Sequence, residues 1–333
     1  MTQSAISSVG VLGLGNWGTA LANHLSSKGY EVCGWTIQED VVESINATHR
    51  NPYYQSEVSL HPNFRATGDI EEVIRRDAIV LVVPSEALSS VLSKITLSAE
   101  SYVVSAIKGL DRDLRLTPLQ LVKKLLPNLK RLAVLSGPSF AHDVVRGLPA
   151  GVVAASTDEE VSLTVAKLFQ SDQMKVYVST DPLGVELGGI TKNVIALAAG
   201  VSDGIGLGDS ARAAVITRGL AEMMRLAVAA GAQRETLFGL AGLGDLVMTA
   251  SCDTSRNRQV GLCLGRGMSL EKAVEQVGSI AEGVKTAPLV FDLAKQFGVD
   301  VPITEHVVLL LEEKITPAQM AKGLLNRPLK AEF

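Results

Sequence analysis

Val9-Gly10-Val11-Leu12-Gly13-Leu14-Gly15-Asn16-Trp17-Gly18 decides how the first half of this chain is read. A short apolar run leads into Gly-x-Gly-x-x-Gly. A helical pattern of Ala20, Leu21, His24 and Leu25 follows at once, and Gly29 ends it before a second apolar run, Val32 to Trp35. In a strand–turn–helix each glycine has its own task. Gly13 permits the tight turn, Gly15 lets the backbone approach a pyrophosphate, and Gly18 lets the helix pack close to the strand. The N–H groups and positive dipole end of the helix from Asn16 onward then face the phosphates. The stretch predicts a dinucleotide-binding unit; without that context it would be a glycine-rich turn and nothing more.

The kind of dinucleotide stays open. A carboxylate about 20 residues further on receives the ribose 2′-hydroxyl of NAD, whereas an arginine there accommodates the 2′-phosphate of NADP. This chain has Gly34-Trp35-Thr36-Ile37-Gln38 in that region, and its first acids, Glu39 and Asp40, come late. Their position suits the first turn of the next helix, where carboxylates favour the dipole.

At 333 residues the chain is long enough for two domains with separate cores. The net charge of −4 and the lack of a basic stripe argue against a nucleic-acid partner. The longest apolar stretch, Val194 to Val201, falls far short of a membrane span, and no charged-then-apolar leader opens the chain. Met1 to Ser8 reads as a short polar arm. Cys33, Cys252 and Cys263 lack metal-ligand spacing and the five histidines are scattered. No metal site and no histidine-centred triad is expected, and unpaired thiols suit a reducing cytoplasm.

Strands and helices alternate through the first half. Thr48 to Asn63 reads as a long surface loop and Asp69 to Arg75 as a helix with an aspartate cap. Ala78 to Val83 is a continuous apolar run, the mark of a parallel strand covered on both faces. Tyr102 to Ala106, Leu132 to Leu135, Val152 to Ala155 and Lys175 to Val178 are further strand candidates. Pro84-Ser85, Lys108 and Ser136 to Ser139 fall at carboxyl ends of such strands, where ligands collect in sheets of this kind. Beyond Asp181-Pro182 helical periodicity takes over, with glycine-rich breaks at 204–208, 239–244 and 265–267. The expected architecture is α/β: an N-terminal Rossmann-type doubly wound sheet, residues 1–180, then an all-helical C-terminal domain, residues 181–333.

Three patches of the second half are polar against their surroundings. Lys192-Asn193 sits inside a small and apolar helix; either the lysine has a buried partner or task, or it snorkels to water. Asp245, framed by glycines, either caps a helix or serves the site. Thr254-Ser255-Arg256-Asn257-Arg258 is either a solvated loop or a phosphate site, since arginine offers a planar fork and Ser and Asn add neutral bonds. Together they make an anionic substrate plausible, facing a nicotinamide held by the first domain.

Gly13-Leu14-Gly15-Asn16-Trp17-Gly18, Ile107-Lys108-Gly109, Ser136-Gly137-Pro138-Ser139-Phe140-Ala141, Thr191-Lys192-Asn193, Gly242-Leu243-Gly244-Asp245 and Ser255-Arg256-Asn257-Arg258 occur in this order, with Val201 to Gly206 and Ala281-Glu282-Gly283 between and after them. The ordered set resembles the signature segments of bacterial NAD(P)-dependent glycerol-3-phosphate dehydrogenase over nearly the whole chain. The resemblance implies Lys192 as general acid/base and Lys108 in contact with both substrate and cofactor. It implies a glycerol phosphate site of Gly137, Ser139, Lys192, Asp245, Ser255, Arg256 and Asn257. Trp17, Ala141, Arg256 and Glu282 would touch an NAD or NADP held by Gly13, Gly15, Asn16 and Gly18. It further implies a cytoplasmic homodimer acting on a small phosphorylated triose and supplying glycerol 3-phosphate for phospholipid synthesis. The loop departs from the family, which commonly has Tyr-Leu-Pro-Gly where this chain has Pro52-Tyr53-Tyr54-Gln55-Ser56-Glu57. Two rivals are a related dehydrogenase for a carboxylate such as a 3-hydroxy acid or ketopantoate, and a non-catalytic dinucleotide sensor.

Overall fold

A computed structural model describes residues 6–278, 281–329 and 331; the first five residues of the expected polar arm lie outside the described residues. The chain divides into two compact units, Met1–Glu186 and Leu187–Phe333.

In the first unit, β1 (Ser8–Leu12), β2 (Glu31–Trp35), β3 (Phe64–Thr67), β4 (Ala78–Leu81), β5 (Tyr102–Ser105), β6 (Arg131–Ser136), β7 (Ala150–Ala155) and β8 (Met174–Ser179) form one sheet. Its order is β3-β2-β1-β4-β5-β6-β7-β8. All neighbours run parallel except β6 and β7. Connecting helices are α1 (Asn16–Ser27), α2 (Glu39–Thr48), α3 (Ile70–Ile74), α4 (Ser85–Leu92), α5 (Pro118–Leu125), α6 (Ala141–Val145) and α7 (Glu159–Phe169). From β1 the chain winds one way to β2 and β3 and the other way to β4, so a switch point opens beyond the carboxyl ends of β1 and β4.

The period of two along each strand divides the core between the sheet's faces. Val80 and Val104 join Val9, Val11 and Leu21 in one cluster, while Ile79, Leu81 and Val103 join Leu12, Leu88 and Leu121 in another. All four residues of β4 are fully buried, as the unbroken apolar run predicts. Asp69 caps α3 by accepting the Glu71 N–H at 2.9 Å. The edge strand β3 is absent from the sequence reading. It has four residues, Phe-Arg-Ala-Thr, with Arg65 exposed, and so carries almost no apolar signal.

Every regular element among the described residues of the second unit is helical. It comprises most of α8 (Pro182–Gly204), then α9 (Asp209–Ala229), a 3-10 turn Arg234–Phe238 and a π-turn Leu240–Gly244. After these come α10 (Asp245–Ser251), α11 (Arg256–Gly265), α12 (Leu270–Val277), α13 (Glu282–Gln296), α14 (Pro302–Leu311) and α15 (Pro317–Leu325). The backbones of α8 and α11 touch. A Cβ on Gly200 would fall 2.1 Å from the Arg258 carbonyl, and one on Gly261 2.1 Å from the Leu197 carbonyl. That approach fixes the polar start of α11 against the helix carrying Lys192. No helix of the described residues is long and apolar enough to cross a membrane.

Candidate active site

The first unit presents the three glycine tasks in order. Gly13 has φ +106° and donates its N–H to the Trp35 carbonyl at 3.0 Å, and a Cβ there would press on the Val82 carbonyl. A Cβ on Gly18 would lie 1.8 Å from the Gly13 carbonyl, so only glycine lets α1 start this close. Around Gly15 a Cβ would meet nothing within 4 Å, which leaves the room a pyrophosphate needs. No side chain caps α1. The Trp17 indole N–H is buried without an acceptor, a donor waiting for a partner at the cradle. These features fit a dinucleotide.

Lys108 follows β5, and Gly137 and Ser139 follow the parallel neighbour β6, so both segments lie beyond carboxyl ends of the sheet. The Lys108 ammonium donates to the Gly137 carbonyl at 3.3 Å, and the Ser139 hydroxyl donates to the same oxygen at 3.1 Å. Half-buried Ala141 is the first residue of α6.

In the second unit Lys192 does not snorkel: it is 5% exposed. Its Nζ lies 2.5 Å from Asp245 Oδ1 and donates to the Thr249 hydroxyl at 2.8 Å. The Thr249 hydroxyl in turn donates to the Asp245 carbonyl at 2.6 Å. Asp245 is fully buried and is not a cap. Gly244 holds that position, and the Asp245 carboxylate goes to the lysine. A buried pair of this kind is costly to make and costlier to break, so it persists where a charge is needed. Thr249 escaped the sequence reading, although its spacing of four from Asp245 puts both on one face of a helix.

The Ser255–Arg258 cluster is no solvated loop, and its members divide the work. The Ser255 hydroxyl caps α11, accepting the Arg258 N–H at 3.3 Å. Asn257 is buried; it donates to Asn193 Oδ1 at 3.0 Å and accepts the Gly283 N–H at 2.7 Å. It thereby ties α8, α11 and α13 together beside half-buried Glu282. Buried Arg258 pairs with half-buried Asp203 (2.6 Å) and exposed Asp253 (2.5 Å), and Asp203 also receives Arg212 at 3.0 Å. Burial disfavours the Arg258 cation, but hydrogen bonds and charge from Asp203 and Asp253 outweigh it and hold the guanidinium above its ordinary value. Arg256, the first residue of α11, is exposed and is the arginine of the cluster that faces outward. Among the described residues no group of three or more His, Cys, Asp or Glu side chains could hold a metal ion.

The pattern of the family described as NAD-dependent glycerol-3-phosphate dehydrogenase N-terminus matches residues 8–162, and that of the corresponding C-terminus matches residues 181–322. The chain is 45% identical over 330 residues to a Syntrophotalea carbinolica protein named glycerol-3-phosphate dehydrogenase (NAD(P)+), covering 98% of this chain and 99% of the relative. A Geobacter sulfurreducens protein of the same name is 46% identical over 329 residues, covering 97% and 98%. The crystal structure of a glycerol-3-phosphate dehydrogenase from Coxiella burnetii superimposes with a TM-score of 0.92 at 37% identity, covering 97% of this chain and 99% of that one. The N- and C-terminal patterns of one family match residues 8–162 and 181–322, and the relatives align over nearly the whole chain: the chain belongs to the NAD-dependent glycerol-3-phosphate dehydrogenases.

Proposed function

We propose that this chain interconverts dihydroxyacetone phosphate and sn-glycerol 3-phosphate with NAD(P)H, supplying glycerol 3-phosphate for phospholipid synthesis. The observation that carries the reading is the buried Lys192–Asp245–Thr249 cluster, an ammonium held in a fixed direction. Its domains are 1–180 for the dinucleotide and 181–333 for substrate and catalysis.

Gly13, Gly15, Asn16, Trp17, Gly18, Lys108, Ala141, Arg256 and Glu282 hold the dinucleotide. Its nicotinamide supplies the hydride that reaches the ketone carbon. Lys192 donates a proton to the ketone oxygen and stabilises the negative charge developing there. Asp245 and Thr249 hold Nζ in place, so the transfer requires no rotamer search. Asp245 also favours the ammonium, which suits the reducing direction; the neutral amine takes the proton back when glycerol 3-phosphate is oxidised. Lys108, Gly137, Ser139, Asp245, Ser255, Arg256 and Asn257 bind the substrate. Arg256 fixes the phosphate away from the reacting carbon, so the geometry is set before hydride moves.

A cytoplasmic homodimer completes the proposal. All three cysteines are free thiols, which fits a reducing compartment. An apolar, open cavity of about 740 Å³ in the second unit supports a second copy as partner. Val201, Ile205, Val215 and Met320 line it, with exposed Leu325 and Leu329, and it includes neither Lys192 nor Asp245. The test is a substrate panel. Turnover of the phosphorylated triose and not of ketopantoate or 3-hydroxy acids is expected; turnover of the carboxylates alone would overturn the assignment.

A further inference from the structure

The end of β2 bears on which dinucleotide is used, an inference that rests on the dehydrogenase reading above. In a doubly wound sheet the adenosine ribose lies near this end, where a carboxylate receives a 2′-hydroxyl and an arginine a 2′-phosphate. Here Trp35 closes the strand and its indole N–H donates to the Gly68 carbonyl at 3.1 Å. Thr36 remains buried and donates its N–H to the Thr67 carbonyl at 3.2 Å. The first residue to leave the sheet for solvent is therefore Ile37, 82% exposed. Gln38 then caps α2, and Glu39 and Asp40 occupy its first turn. From Gly34 to Thr48 the chain has no lysine or arginine.

The loop after α2 is bound to the same rim. Buried Asn51 donates to the Leu14 carbonyl at 3.1 Å and the Thr19 hydroxyl at 2.9 Å, which pins the loop to the glycine turn. Gln55 donates to Asn16 Oδ1 at 3.1 Å, and the Tyr53 hydroxyl donates to Asp40 Oδ2. The loop's own cation, Arg50, donates to the Ser56 carbonyl inside the loop at 2.9 Å. A 2′-phosphate carries about two negative charges and would meet Glu39 and Asp40 with an isoleucine where its cation should be. A 2′-hydroxyl, by contrast, brings no charge for these carboxylates to repel, and exposed Ile37 offers an apolar contact for adenine.

We propose that the rim from Ile37 to Asp40 makes this enzyme select NADH over NADPH, with Ile37 as the residue that withholds the phosphate's cation. Both tryptophans of the chain, Trp17 and Trp35, lie on the cradle, so quenching of intrinsic fluorescence reports binding without turnover. Titration of the full chain should give a Kd for NADPH about tenfold or more above that for NADH, roughly the worth of one charge-assisted hydrogen bond. Ile37→Arg, at an exposed position that tolerates the side chain, should tighten NADPH about tenfold and leave NADH within about threefold. Equal affinities in the unsubstituted protein would overturn the selectivity and leave the dehydrogenase reading standing. Selectivity that Ile37→Arg does not shift would overturn the role of Ile37. Quenching by neither dinucleotide would overturn the dehydrogenase reading itself.

Discussion

Replacing Lys192 by methionine removes the cation paired with the fully buried carboxylate of Asp245. Asp245 would lose its ammonium partner at Oδ1, where the Thr249 hydroxyl lies 3.4 Å away. Breaking a buried pair by removing one partner costs about 3–5 kcal/mol. The stranded carboxylate has one escape, which is to take a proton. From an ordinary carboxyl value that costs about 4 kcal/mol at pH 7 and about 1.5 kcal/mol at pH 5. Lys192→Met should thus be destabilised by about 4 kcal/mol at pH 7, with roughly 2.5 kcal/mol of that recovered at pH 5. The double variant Lys192→Met/Asp245→Asn carries no stranded charge and should regain most of the loss at pH 7. Urea unfolding followed by circular dichroism at both pH values measures this directly. Both variants should lose nearly all turnover yet still bind dinucleotide, whose cradle lies in the other unit. A Lys192→Met protein as stable as its parent at pH 7, or one with near-normal turnover, would refute the reasoning.

Arg256→Ala removes an exposed side chain at the start of α11, so stability should move by less than about 0.5 kcal/mol. The KM for dihydroxyacetone phosphate should rise about tenfold or more in initial-rate kinetics, and an unchanged KM would remove its assigned role. Gly18→Ala places a methyl 1.8 Å from the Gly13 carbonyl and should abolish dinucleotide binding as read by tryptophan quenching. Normal binding would contradict the close packing of α1. Burial pushes the carboxyls of Glu186 and Glu222 up to about 7. The folded state then holds protons that the unfolded chain has lost above about pH 4.5, so this share of stability declines as pH rises to about 7 and is level beyond. Glu222→Gln should flatten the decline by up to about 1.4 kcal/mol per pH unit, measured by denaturant titration across that range.

Much of the fold was legible because its signals are local. Gly13, Gly15 and Gly18 are demanded by backbone geometry within a few residues, and the buried run of β4 needs no partner to be recognised. The edge strand β3 was not legible, since its pairing with β2 comes from the sheet and not from its own four residues. At the site, Lys192 and Asp245 stood out as charges in apolar surroundings, but each kept a bland alternative. They are 53 residues apart, and only the fold brings them within 2.5 Å. Sequence gave Ser255, Arg256, Asn257 and Arg258 the look of equal donors. In the structure the half-buried carboxylate of Asp203 draws Arg258 inward, and Asn193 and Gly283 engage Asn257. The loop expected over Thr48 to Asn63 begins one residue later, since Thr48 ends α2; residues 49–63 have neither helix nor strand, yet Asn51 anchors them, a role that composition cannot display.

The most direct measurement follows the hydrogen itself. The protein is incubated with dihydroxyacetone phosphate and NADH fully deuterated at nicotinamide C4, and the product is analysed by mass spectrometry. The account predicts glycerol 3-phosphate carrying one deuterium at C2, absent when Lys192→Met replaces the parent protein. Unlabelled product, or no product in protein whose tryptophans are quenched by the cofactor, would contradict it.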